Sequence, residues 1–391
     1  MNPESRFKNS IVAWHRLQVS FRNAARVLRW ELGDWISGLL PGHRVPHSGK
    51  ESASDVPQPG SHRTVAGKPL VFVSYATDQS LKGSHLYCGG EKLLNNLVLL
   101  LCRKGYEAWM VSTDGTNAGW LAEHAPFLSI AEFIKKKEGA ADVRCVTSWM
   151  KAMPFIEQCP KFYFWDQELS ASSRSHFPDL AAFMADNRII RTAGVNRTVQ
   201  AWHRCVFETP AAALRQLIDD EYWKPDPVRR IPNRVGYFDE GEHGAEYVRR
   251  IEELTKGAGL DLEFVQLSGD EPAIISQMQR CGTFLALNVG KSLLWGEGGP
   301  MSPQEAMACG TVPVCFDING PWELIQQRYN GIITREFTPE AMAKELIWLY
   351  GAPGRHETMG ARALEVSRIS HSMEARWPEV VRFLDLPETA E

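Results

Sequence analysis

Gly296-Glu-Gly-Gly-Pro-Met-Ser-Pro-Gln-Glu-Ala-Met-Ala-Cys-Gly310 is the densest signal in the chain. It reads as a glycine-rich loop, a helix start and a short helix closed by Gly310. Ser302 suits the cap position, Pro303 the first helical position, and Glu305 stands three residues after the cap. Gly298 and Gly299 let a ligand approach the backbone closely. The unpaired N–H groups of such a loop and helix start suit an anion such as a diphosphate. A second reading needs no ligand. Ser302-x-x-Glu305 is a complete capping box, so Glu305 then serves its own helix and Glu297 is a solvated loop charge.

The pattern around this stretch alternates. Strands are expected at Arg234–Phe238, Leu262–Leu267, Thr283–Leu287, Thr311–Phe316 and Gly331–Thr334. Helices are expected between and after them at Ala245–Lys256, Pro272–Cys281, Pro303–Cys309, Pro321–Gln327 and Pro339–Tyr350. An earlier series begins with a strand at Pro69–Tyr75 and a helix at Gly89–Lys104, with Leu93, Leu94, Leu97, Leu100 and Leu101 on one side. Further strands are expected at Glu107–Ser112, Asp142–Val146, Phe162–Trp165, Arg188–Thr192 and Val206–Thr209. Strands alternating with helices imply parallel sheets covered on both faces. Two series imply an α/β chain of two doubly wound, Rossmann-like domains. Ligands of such sheets sit beyond the carboxyl ends of the strands, here in a cleft between the two. The last stretch, Arg362–Leu386, reads as a helix.

Composition agrees with a folded enzyme-sized chain. The 391 residues are 44% hydrophobic and 23% charged, which excludes wholesale disorder. A net charge of −4 is no nucleic-acid footprint. That average conceals a split: residues 1–66 hold 9 Lys/Arg against 5 Asp/Glu, and the rest hold 34 against 42. The 8 cysteines form no C-x-x-C pair, so neither a metal site nor a disulfide framework is expected, and a reducing, cytoplasmic setting is. No apolar run of about 18 residues is present, so no membrane span is expected. Residues 6–40 read as a helix with Phe7, Ile11, Trp14, Phe21, Leu28, Leu32, Trp35 and Leu39 on one stripe and Arg6, Lys8, Arg16, Arg22, Arg26 and Arg29 beside it. It packs on protein, its own or a second copy, or lies on an anionic membrane surface, or is disordered. The expected organisation is therefore an amphipathic extension (1–48), a linker (49–68), a first α/β domain (69–228), a second α/β domain (229–361) and a terminal helical stretch (362–391).

Glu297 and Glu305, separated by seven residues within G-E-G-G-P-x-S-P-x-E-A-M-A-C-G-T-V-P-V, resemble the Glu-x7-Glu signature of retaining nucleotide-sugar glycosyltransferases. Those enzymes have two Rossmann domains, the GT-B fold, and belong to the group 1 or family 4 type. The likeness continues through Asn319-Gly320-Pro-Trp-Glu323, Asn330-Gly331 and Thr338-Pro-Glu-Ala. In the first half, Cys88-Gly89-Gly90-Glu91 resembles the family's glycine loop, and Lys104-Gly105-Tyr106-Glu107 its entry to the second strand.

The resemblance implies that Glu297 contacts donor-sugar hydroxyls and Glu305 accepts from the ribose hydroxyls. The amides of Gly298, Gly299 and neighbours would hold the diphosphate, with Pro300 and Ser302 bordering it and Gly89 and Gly90 facing it. It implies retention of the anomeric configuration, no metal or other cofactor, and a glycan or lipid-linked acceptor. One departure stands out. The family's diphosphate-binding Arg and Lys follow the first strand of the second domain, where this chain reads Gly236-Tyr-Phe-Asp-Glu-Gly-Glu-His-Gly244. Lys291 is the nearest cation to Glu297 along the chain, as a substitute or as a solvated lysine. Asp166 follows a strand and either orients the acceptor or caps a helix. Ser268 and Gly269 either offer backbone to the nucleotide base or merely start a helix. The expected activity is sugar transfer from a nucleoside-diphosphate donor. The alternatives are a sugar-nucleotide epimerase on the same fold and a non-catalytic binding module.

Overall fold

Short runs of β-branched and aromatic residues recur between apolar helices, and in the computed structural model they pair into two parallel sheets. The structure describes residues 68–75, 89–112, 115, 119–148, 153–167, 177–239, 244–287, 301–318 and 320–387. The segment 6–40 lies outside them.

The first sheet is built from β1 (Leu70–Tyr75), α1 (Gly89–Arg103), β2 (Ala108–Ser112), β3 (Phe127–Ser129), α2 (Ile130–Glu138), β4 (Val143–Thr147), α3 (Met153–Ile156), β5 (Phe162–Asp166), α4 (Phe177–Met184), β6 (Ile189–Gly194), α5 (Arg197–Val206) and β7 (Ala211–Ala213). Its strand order is β3-β2-β1-β4-β5-β6-β7. Val71 pairs with Ala108 on one side of β1 and Leu70 with Val143 on the other. Helices cover both faces, so Val71, Phe72 and Val73 are all fully buried and the strand reads as a continuous apolar run.

The second sheet follows with β8 (Ile231–Tyr237), α6 (Gly244–Gly257), β9 (Glu263–Gln266), α7 (Glu271–Met278), β10 (Cys281–Ala286), α8 (Met301–Ala308), β11 (Val312–Phe316), β12 (Ile332–Thr334) and α9 (Pro339–Tyr350). Its order is β12-β11-β10-β8-β9. The order reverses at β1/β4 in the first sheet and at β8/β10 in the second. Such switch points open a crevice at the carboxyl ends of the strands.

Two closing helices, α10 (Arg355–Ser370) and α11 (Met373–Leu384), tie the sheets together. α10 belongs to the second sheet: His356 Nε2 bonds Gly282 O at 2.8 Å. α11 lies on the first: Arg144 Nε donates to Leu384 O at 3.2 Å and Tyr163 OH to Asp385 at 3.3 Å.

Three expectations are corrected. Val206–Thr209 is no strand; Val206 ends α5, whose cap Asn196 accepts from Val199 N at 2.8 Å, and the strand is Ala211–Ala213. Pro321–Gln327 is no helix beyond the 3-10 turn Pro321–Glu323. Asn330 ends it, accepting from Gln326 N at 2.7 Å and donating to Leu324 O at 3.0 Å, so that backbone has a side-chain partner instead of a next turn. Arg362–Leu386 is two helices, because Ser372 caps a new one by accepting from Ala375 N at 3.2 Å. The short β3 carries no alternation of its own and was not expected.

Candidate active site

The carboxyl end of β1 leads to α1, and the carboxyl end of β10 leads to α8. The two helices begin against each other: a Cβ added at Gly89 would stand 3.7 Å from Met301 Cγ. Both switch points thus point their helix N-termini at one place. The unpaired N–H groups and positive dipole ends there favour negative charge.

One turn into α8, Glu305 is buried. The helix starts at Met301, so Ser302 lies inside its first turn and is half-buried, not at the cap. Glu305 does not close the capping box. Its Oε1 bonds Lys92 Nζ at 2.5 Å. Lys92 comes from α1 and is itself only 3% exposed. The same ammonium pairs with Glu271 Oε1 at the start of α7 and lies 4.1 Å from the centre of the Trp223 ring. Glu271 is held further by Trp223 Nε1–H at 3.0 Å and by Ala122 N–H at 2.7 Å. A buried cation between two carboxylates survives because each charge has a partner and hydrogen bonds besides.

The electrostatics follow from the packing. Burial disfavours the Lys92 ammonium, but Glu305 and Glu271 outweigh it and raise its pKa above the ordinary value. Burial opposes the Glu271 carboxylate too, yet Lys92 and its hydrogen bonds hold its pKa below the usual range. Glu305 has fewer donors, so burial wins and pushes its pKa up.

The other expected site residues divide clearly. Glu297, Gly298, Gly299, Pro300 and Lys291 lie outside the described residues. Gly89 and Gly90 are at the start of α1, where expected. Ser268 does follow β9, but both its backbone groups are engaged: its N–H donates to Gln277 Oε1 at 3.3 Å and its carbonyl accepts from Gln277 Nε2 at 2.7 Å. It has no backbone donor to spare for a base. Gly269 takes φ +111°, which lets the chain turn into α7. Asp166 ends β5 but is 1% exposed and bonds His203 Nε2 at 2.7 Å. His203, on α5, is fully buried, so this pair is enclosed.

Sequence reasoning missed Lys92, Glu271 and Trp223. A signal existed for Lys92. It stands, with Asn95 and Asn96 one turn on, inside a helix whose residues from Lys92 to Leu101 are all buried. Asn95 Nδ2 donates to Glu123 O at 2.9 Å and Asn96 Nδ2 to Leu217 O at 3.1 Å. Polar residues on an otherwise apolar buried helix need such partners.

Residues 239–366 match the family model described as glycosyl transferases group 1. The chain carries a group 1 glycosyltransferase domain and is a transferase. The match begins just after β8 and ends within α10, so it contains α7 and α8 with Glu271 and Glu305. The whole described fold is that of the GT-B glycosyltransferases. It resembles a glycosyltransferase from Rickettsia africae ESF-5 with a TM-score of 0.63 and 12% identity, over 81% of this chain and 99% of that one. Sucrose-phosphate synthase from Thermosynechococcus elongatus gives 0.60 at 12% identity, over 81% and 98%. Anabaena HepE in complex with UDP gives 0.59 at 13% identity, over 81% and 99%. At such identities these are likenesses of fold. No curated protein matches the chain in sequence. Among the described residues no helix is long and apolar enough to cross a membrane, and no three His, Cys, Asp or Glu side chains group as metal ligands.

Proposed function

We propose that this glycosyltransferase moves a sugar, with retention, from a nucleoside-diphosphate donor to a glycan or lipid-linked acceptor. The observation that carries the reading is the meeting of α1 and α8, with Gly89 against Met301 and Glu305 one turn below. In this reading the diphosphate lies at the two helix starts and on the amides of the 296–300 loop. Glu305 accepts the ribose hydroxyls, a role suited to a carboxylate facing a vicinal diol. Glu297 accepts donor-sugar hydroxyls. As the bond to the leaving phosphate stretches, negative charge grows where backbone donors already point, and those donors lower the barrier. The new bond forms on the face the diphosphate leaves, which keeps the anomeric configuration. Helix starts and loop amides serve here in place of a metal.

The acceptor approaches from the first sheet. The basic stripe of residues 6–40 is assigned to docking at a membrane surface where a lipid-linked acceptor resides, on the cytoplasmic side. Liposome flotation of the full chain and of a form lacking residues 1–48 reads this assignment; equal flotation of both overturns it.

The donor test starts from UDP, because Anabaena HepE has been solved with UDP and with UDP-glucose. Thermal unfolding with UDP, GDP, ADP and CDP identifies the base, since a ligand at 100 times its dissociation constant adds about 2.7 kcal/mol. Incubation of the matching sugar nucleotide with acceptor, followed by NMR of the anomeric proton, reads retention. Binding of no nucleotide overturns the transferase mechanism in favour of a binding module. Conversion of the donor alone to its epimer overturns it in favour of an epimerase.

A further inference from the structure

Lys92 and Glu305 are 213 residues apart in sequence, on helices of different sheets, and meet beneath the start of α8. Both carboxylate oxygens of their partner Glu271 are engaged. Its Oε1 takes Lys92 and the Trp223 indole N–H, and its Oε2 takes the Ala122 N–H. Those of Glu305 are not. Its Oε1 takes Lys92, no described residue donates to its Oε2, and the side chain keeps 9% of its surface. Two carboxylates in one cluster therefore differ in kind: one is locked and the other holds an acceptor in reserve.

The ammonium is equally constrained. Two of its N–H groups go to carboxylates and it rests on the Trp223 ring. One cation with two carboxylates leaves the cluster at a net charge of −1. Such a site repels a phosphate and attracts a hydroxyl donor.

We propose that Lys92 is a positioning residue of the donor site: it grips Glu305 by one oxygen so that the other is presented to the ribose hydroxyls of the donor. The inference rests on the donor reading above and adds to it the residue that makes Glu305 selective for a ribose. Lys92 also reaches from the first sheet, so the half of the molecule assigned to the acceptor sets the geometry of the half assigned to the nucleotide.

The test measures discrimination, which a purely structural lysine leaves unchanged. The nucleoside diphosphate that wild type binds best among UDP, GDP, ADP and CDP is compared by calorimetry with its 2′,3′-dideoxy counterpart. Wild type is expected to prefer the ribose form by at least about tenfold, the order of a hydrogen bond to a charged group. Lys92→Met removes the grip with little change in volume. Lys92→Met/Glu271→Gln does so while keeping the cluster at −1, and serves alone if the single variant does not fold. In both, the ribose form is expected to weaken until the two ligands bind within about threefold of each other. The dideoxy form keeps its affinity. Variants that retain the wild-type preference overturn the role of Lys92, even if they melt at a lower temperature. A wild type that binds the diphosphate without ribose preference overturns it while leaving the donor reading standing. A wild type that binds none of the four overturns both.

Discussion

Two buried ionic clusters face opposite tasks in this molecule. In the first, Lys92 sits between Glu271 and Glu305, with one carboxylate oxygen unclaimed among the described residues. In the second, Glu379 on α11 lies between Arg376 and Arg215. Its Oε1 takes Arg376 Nη1 at 3.0 Å and Arg215 Nε at 2.9 Å, and its Oε2 takes Arg215 N–H at 2.8 Å. Arg376 goes on to Gln216 O at 3.2 Å and to His371 Nδ1 at 2.9 Å. Every oxygen of that carboxylate is used. The cluster whose carboxylate is engaged at both oxygens ties the last helix to Arg215 and Gln216 just beyond β7, although His371 Nε2 in it has no partner among the described residues; the other cluster lies at the convergence of two helix starts. The difference teaches that how completely a buried carboxylate is hydrogen-bonded, more than its charge or burial, separates one that holds a fold from one that is open to a further donor.

The sharpest way to break that comparison is Glu379→Ala. Arg376 is 2% exposed and would keep its charge without a carboxylate, so urea unfolding should show a loss of about 3–5 kcal/mol. A loss under about 1 kcal/mol would mean that the second cluster fastens nothing.

Glu305→Ala should act differently. Lys92 keeps Glu271, so the main effect falls on nucleotide affinity, which should weaken by about 1–3 kcal/mol in calorimetry. Unchanged affinity with a large fall in stability would make the first cluster structural like the second.

The pH response sharpens the contrast within the second cluster. Burial, with Arg376 and Arg215 beside it, pushes His371 down to about 3. The unfolded chain takes up that proton near pH 6.5 and the folded one refuses it. Stability is therefore full above about pH 6.5 and falls as pH drops toward 3, by up to about 1.4 kcal/mol per pH unit from this group. His356, buried against Gly282 O, is pushed the same way, so the informative quantity is the difference between wild type and His371→Gln. That variant should show a shallower acid slope. An identical slope would remove His371 from the account.

The smallest expected effect lies outside both clusters. Ser129 and Glu132 form a capping box on α2, with Ser129 Oγ accepting from Glu132 N–H at 3.3 Å and Glu132 accepting from Ser129 N–H at 2.8 Å. Ser129→Ala should cost about 1 kcal/mol of stability with nucleotide affinity unchanged. A change in affinity would show that the clusters are not the sole route from packing to the site.

The alternation of strand and helix was legible along nearly the whole described chain, because each periodicity is a local property of the sequence. α9 was read to the residue as Pro339–Tyr350, since Thr338 accepts from Ala341 N and Pro339 opens the helix. The start of α1 at Gly89 was legible for the same reason, whereas α8 begins at Met301 and not at the expected Pro303. Errors fell where a side chain from elsewhere takes the backbone, as Asn330 does after Pro321–Glu323.

Sequence by itself therefore determined two parallel α/β halves, most of their element order and the short helix that carries Glu305. What only the tertiary structure decided is the use to which Glu305 is put. Locally Ser302-x-x-Glu305 reads as a capping box, and the Glu297-x7-Glu305 spacing implies a ligand contact only through resemblance. Folding brings Lys92 to that carboxylate from another sheet and removes water from both. In that setting an ion pair outweighs a cap that solvent would satisfy equally well. The same folding engages the Ser268 backbone with Gln277 and encloses Asp166 with His203, two outcomes that no spacing along the chain encodes.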